Sequence, residues 1–236
     1  MIKIARFNKG FTLLEMAIVL IIVGLLFATL SLPLSKQREM SDYYETKKSL
    51  DEIKEALIGY AIINGRLPCP TTHKDPSQNE YGTASSSCSL SNKDTDLPES
   101  AYAGFLPWKD LSVREVDAWG LPRKKDDKLW SGYWVYRVAP EFASNSTLFT
   151  LNTTSSAANI DIVNSSGVSL TTSGERPVAV ICSMGHDGMA NGQNASFEPT
   201  NPIYQSDEVT MTFDDICVWI GRPTLFNRMV QAGKLP

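Results

Sequence analysis

Apolar residues fill one continuous stretch near the start of the chain, FTLLEMAIVLIIVGLLFATLSLPL from Phe11 to Leu34, and are spaced out after it. The run corresponds to about 36 Å of helix, enough to cross a bilayer core of about 30 Å. Past Pro33 the chain turns polar without losing helical period. Tyr43, Leu50, Ile53, Leu57, Tyr60 and Ala61 recur at spacings of three, four or seven, which marks one apolar stripe. Glu and Lys alternate on the opposite face of YYETKKSLDEIKEALIGY, as a solvated surface requires. Asn64-Gly65 with Pro68 beyond is a helix stop. The pattern therefore predicts one helix over 11–63, roughly 80 Å long, kinked or loosened at Pro33.

The alternation then changes. Residues 65–130 are rich in turn formers and read as a mostly irregular connector. Short runs of β-branched and aromatic residues follow at 132–139, 146–151, 159–163, 168–170, 177–183, 209–213 and 216–220. Strands without intervening helices imply an antiparallel sheet. The last residues, TLFNRMVQAGKLP, suit a short helix with Leu225, Met229 and Val230 on one side. The fold class is α+β: a long N-terminal helix, transmembrane in its first half, packed by its second half on an antiparallel β-sheet head.

Charge adds an orientation. Lys3, Arg6 and Lys9 precede the apolar run and no basic residue follows until Lys36, which puts residues 1–10 in the cytoplasm and the rest outside. A cleavable secretory signal shares the basic start, but this run is long and no A-x-A-like site follows it. The formal net charge is −4, and without the three basic residues of 1–10 it is 19 basic against 26 acidic residues, or −7, which argues against a general nucleic-acid surface. The four cysteines, Cys69, Cys88, Cys182 and Cys217, form no CxxC pair and are joined by only two histidines. A zinc site is disfavoured, and two disulfides suit the outer side of a membrane. Three pairings are open; order and locality favour Cys69–Cys88 and Cys182–Cys217.

KGFTLLEMAIVLIIVGLL resembles the processing site of the type IV pilin and pseudopilin family. The resemblance implies that Gly10 ends a leader of residues 1–10 and that Phe11 begins the mature chain. Glu15 becomes the fifth mature residue. It further implies a prepilin peptidase that cuts after Gly10 and methylates Phe11. Residues 11–34 become the transmembrane and assembly half of the helix. Residues 35–236 become a periplasmic, pilin-like head that includes the helix's second half. The expected partners are that peptidase, other pilin or pseudopilin subunits, the bacterial inner membrane and its assembly platform; no nucleic acid is expected. The expected destination is a pilus or pseudopilus, and no enzyme activity is expected.

The same resemblance gives Glu15 a task. A carboxylate inside the apolar run costs roughly 2.5–3.5 kcal/mol on insertion scales. Paired with the new amine at Phe11 of a neighbouring subunit it becomes tolerable, and the pair sets the axial step. Snorkelling to the headgroups is the plain alternative. DAWGLP (117–122), CSMGHDGMANG (182–192) and FDDICVWI (213–220) resemble segments of the major pseudopilins of type II secretion. Through them Asp187, Asp207 and Asp215 fall where those proteins bind calcium. The acids do not follow EF-hand spacing and also read as ordinary loop residues.

Ser183, His186 and Asp187 lie too close together to form a hydrolase triad in the usual way. A membrane-anchored periplasmic enzyme using that loop is one alternative function. A minor pilin with an adhesive or DNA-uptake head is another. Sequence leaves the system open among secretion, motility, adhesion and DNA uptake.

Overall fold

A computed structural model describes residues 12–71, 76–77, 80–85, 88, 102–120, 132–143, 148–156, 158–196, 201–210 and 212–235, without the side chains of 27–35 and 195–196. Contacts divide the chain into two units, Met1–Ser41 and Asp42–Pro236. Helix α1 covers Leu13–Asn64. It is helical through Pro33, where a kink or loosened turn was expected.

In the first unit the described side chains from Leu13 to Leu26 are exposed, Leu13, Leu14, Leu20, Ile21 and Leu25 among them. Among the described residues no helix is long and apolar enough to cross a membrane. The expected span of 11–34 runs into positions whose side chains lie outside the description.

The second unit begins with the striped half of α1. Leu50, Ile53, Leu57, Ile58 and Ala61 are buried in one cluster with Tyr136, Val138, Ile181 and Ile220 of the sheet. Tyr43 and Tyr60 pack at its margin. The helix stops as its residues dictate. Gly65 takes φ +70°, its N–H bonds Ala61 O at 2.8 Å, and Asn64 Nδ2 donates to Tyr60 O at 2.9 Å. A left-handed residue after the last turn is what glycine permits.

The main sheet has four antiparallel strands in the order β1 (Ala103–Phe105), β2 (Val135–Val138), β4 (Pro177–Ser183), β6 (Ile216–Gly221). The two best-marked apolar runs, 177–183 and 216–220, are strands as expected. The run at 132–139 shortens to β2. Between β2 and β4 in sequence, but in a separate two-stranded sheet, lies β3 (Asp161–Val163), which pairs in parallel with β5 (Ile203–Gln205). This corrects the expectation of a purely antiparallel head. The connection from β3 to β5 is long enough for the crossover a parallel pair needs.

Three expected strands are not extended ladders. Residues 148–151 are irregular, and Phe149 packs on Phe142 and Phe226 with centroids 5.1 and 5.8 Å away. The 168–170 run makes one bridge, Val163 to Ser169. The described part of 209–213 carries no strand. Conversely, the 65–130 connector holds β1 and the one-turn helix α2 (Trp108–Leu111). A second short turn, α3 (Pro140–Ala143), follows β2. The C-terminal helix α4 spans Arg222–Gln231. Leu225, Phe226 and Met229 are buried whereas Val230 is 45% exposed. At 3.6 residues per turn, Val230 lies past the edge of the face that Leu225 and Met229 define.

Candidate functional site

Gly10 and Phe11 lie outside the described residues. Glu15 and its surroundings are described, and they show a device unforeseen in the apolar reading. Thr12 precedes the helix and Glu15 is its third residue. Glu15 N–H donates to Thr12 Oγ1 at 3.3 Å, while Thr12 N–H donates to Glu15 Oε2 at 2.8 Å. Thr12 Oγ1 also donates to Glu15 Oε2 at 2.9 Å. This is a capping box, two otherwise unpaired amides satisfied reciprocally. The Thr-Leu-Leu-Glu spacing carries that signal in plain view. Glu15 therefore has partners within its own chain and sits at the positive end of the helix, where a carboxylate is favoured.

The head holds the second candidate region, where DAWG and the loops flanking β4 and β6 meet. Asp117, 1% exposed, accepts from Trp119 N at 3.0 Å and Gly120 N at 2.8 Å through Oδ1. Its Oδ2 accepts from Ser183 Oγ at 2.5 Å, and Ser183 Oγ accepts from Gly185 N at 3.2 Å. Burial pushes the Asp117 carboxyl above its ordinary range, against the pull of Ser183 and the two amides. Gly132 closes the turn. Its N–Cα–C backbone lies so near Gly120 that a Cβ would fall 2.1 Å from Gly120 Cα. The two motifs thus form one pin, and Ser183, fully buried, donates to a carboxylate. His186 is exposed, and the Ser183 hydroxyl proton is directed to Asp117, not to an imidazole.

Beyond the pin, Asp187 and Asp215 meet through Asn191. Asn191 Nδ2 donates to Asp187 Oδ2 at 3.2 Å, and Asn191 N donates to Asp215 Oδ2 at 2.8 Å. Asp214, which accepts from Asp187 N at 3.0 Å, completes the turn; sequence reasoning had not singled it out. Gly185 and Asp214 touch so closely that a Cβ on Gly185 would lie 2.5 Å from Asp214 Cγ. Asp215 is 1% exposed, and its Oδ1 has no hydrogen-bond partner among the described residues. Burial raises its pKa from the ordinary 3.8 to about 7 despite the Asn191 amide and the Asn194 side chain, and Asp214 and Asp187 add to the rise.

Asp207 is not brought to this loop. It accepts from Ser165 N at 2.7 Å and Glu208 N at 3.1 Å; the Ser165 side chain first, then these two amides, hold its carboxyl below the usual range. Among the described residues no group of three or more His, Cys, Asp and Glu side chains is placed to hold a metal. Calcium takes six to eight oxygens, so carboxylates alone would not complete its shell.

Both favoured cysteine pairs stand at disulfide distance. Cys69 and Cys88 have Cα atoms 5.1 Å apart. Cys182 and Cys217 are register partners on β4 and β6, with Cα atoms 4.2 Å apart.

Residues 5–31 match the family model described as the prokaryotic N-terminal methylation motif. That motif is the signal of type IV pilins and pseudopilins, and it supports a pilin-like or pseudopilin protein. It implies processing by prepilin peptidase and assembly with other pilin subunits. No curated protein and no solved structure matches the chain.

Proposed function

We propose that the chain is a structural subunit of a type IV pilus or type II secretion pseudopilus. Prepilin peptidase cuts between Gly10 and Phe11 and methylates Phe11. Residues 11–34 hold the subunit in the inner membrane with the head in the periplasm, and the subunit then leaves the bilayer by bundling its helix with those of its neighbours. The observation that carries this reading is the methylation motif over residues 5–31. An exposed, all-round apolar helix start supports it, because such a surface needs lipid or other helices around it.

Glu15 then has two alternative partners. Before assembly the Thr12 amide and hydroxyl satisfy it. In the fibre the Phe11 amine of an adjacent subunit takes the carboxylate and fixes the axial step. The test is incorporation into fibres sheared from cells that express the full assembly machinery. Glu15→Ala should drop out of the fibre fraction while remaining in the membrane with its head folded. Normal incorporation of Glu15→Ala would refute the pairing.

A further inference from the structure

A groove of about 430 Å³ opens on the head beside β6. Every residue that lines it belongs to the second unit, Asp42–Pro236, so it does not depend on how the first unit is processed. Val218 and Trp219 of β6 both line it. Neighbouring residues of a strand point to opposite faces, so the groove wraps around the last strand of the sheet. Leu170, from the loop before β4, and Pro223 of α4 add apolar surface. Leu170 is 46% exposed, and Val218 and Trp219 are half-buried. A small apolar body therefore finds cover here.

Two opposite charges share the same lining. Lys54 reaches it from α1 and Glu175 from the chain leading into β4. Glu175 is set beside the end of β6, since Arg222 N donates to Arg176 O at 3.1 Å. Its Oε2 accepts from Thr172 Oγ1 at 3.0 Å. Neither Lys54 nor Glu175 is in an ion pair with the other or with another described residue. The groove thus holds a cation and an anion on separate elements, beyond ion-pair reach of each other. A purely anionic ligand would pair with Lys54 and be repelled by Glu175; a purely cationic one would meet the reverse. A ligand carrying both charges meets neither penalty, which is how charge selects a partner against its competitors. A free amino acid holds its two charges on one carbon. A chain of two or three residues sets them apart by about 3.3–3.6 Å for each residue, and the volume is that of a cleft for small molecules.

We propose that this groove binds a small zwitterion, a di- or tripeptide with free ends, whose carboxylate pairs with Lys54 and whose ammonium pairs with Glu175 while its apolar body lies on Trp219 and Leu170. The two charges fix the direction of the ligand and reject peptides with a blocked end. The apolar surface supplies the remaining affinity and favours an aliphatic side chain.

The probe is leucyl-alanine, titrated against the full chain in detergent micelles and followed by tryptophan fluorescence, with Trp219→Phe to locate the signal. The dipeptide should bind saturably with a Kd of about 0.1–1 mM. Its N-acetyl form and its C-terminal amide, each with one charge removed, should bind about tenfold more weakly. Lys54→Glu and Glu175→Lys should each weaken the free dipeptide by a similar factor. The double exchange, Lys54→Glu with Glu175→Lys, should recover most of the affinity by taking the dipeptide in the reverse direction, and that recovery also shows that the variants fold. Absence of saturable binding to the wild type would overturn the proposal. So would equal affinity for the blocked forms, a response that survives unchanged in Trp219→Phe, or a double exchange as weak as the single ones. Self-association of the chain that either single exchange breaks and the double exchange repairs would assign the two charges to a second copy and overturn it as well.

Discussion

Asp215 offers a prediction whose sign and size both follow from its surroundings. Its carboxyl is buried, one oxygen has no hydrogen-bond donor among the described residues, and Asp214 and Asp187 stand nearby. Its pKa rises from the ordinary 3.8 to about 7 in the folded head. The folded state therefore keeps a proton that the unfolded chain gives up. Stability falls as pH rises through the window between the two values, and the loss is complete above about pH 7. At about 1.4 kcal/mol per pKa unit the ceiling is about 4 kcal/mol. Screening from the exposed side of the loop lowers this, and about 2 kcal/mol is the shift to look for. Asp215→Asn keeps the size and an oxygen for the Asn191 amide but cannot ionise. Urea melts of wild type and variant, with chelator, should separate by about 1 M in midpoint near pH 8, the variant being more stable. Near pH 4 the separation should shrink toward zero. Parallel curves across the window, or a less stable variant at the alkaline end, would refute the reasoning. Calcium added to the wild type gives a second check: a midpoint that rises at alkaline pH means an ion meets the orphaned carboxylate.

Other outcomes follow from the same geometry. Thr12→Ala removes half of the capping box and should cost about 1 kcal/mol of local helix stability, seen as faster amide exchange in residues 13–16. Gly132→Ala should not yield a folded head, because its Cβ would meet Gly120 Cα at 2.1 Å; circular dichroism checks this. Ser183→Ala leaves an Asp117 oxygen without its donor and should destabilise the head by about 1–3 kcal/mol in a urea melt. Replacing both Cys69 and Cys88 by Ser should cost about 3 kcal/mol in the chain-entropy estimate, and peptide mapping without reductant should show the two pairs uncrossed.

Elements with long or strongly β-branched patterns were legible. The stripe from Leu50 to Ala61 declared the packed half of α1, and Asn64-Gly65 declared its end. PVAVICS and ICVWI declared β4 and β6. Locality favoured the two cysteine pairs that stand at disulfide distance. Three-residue strands such as Ala103–Phe105 and Ile203–Gln205 escape notice, because alternation over three positions has no statistical weight and their pairing is decided by distant partners. The parallel pairing of β3 with β5 had no local signature either. The Asp117–Ser183 bond joins residues far apart in sequence, so no spacing rule could find it. The capping box is different: Thr12 and Glu15 stand at the right spacing, and the apolar run that follows drew attention away from them.

The central claim, processing between Gly10 and Phe11 before assembly, is tested most directly by mass spectrometry of the N-terminal peptide from cells with active and inactive prepilin peptidase. With active enzyme the peptide should begin at Phe11 and carry one added methyl group; with inactive enzyme it should retain the residues through Gly10. An N-terminus that is the same in both strains, or one that starts at a residue other than Phe11 when the enzyme is active, would contradict the account.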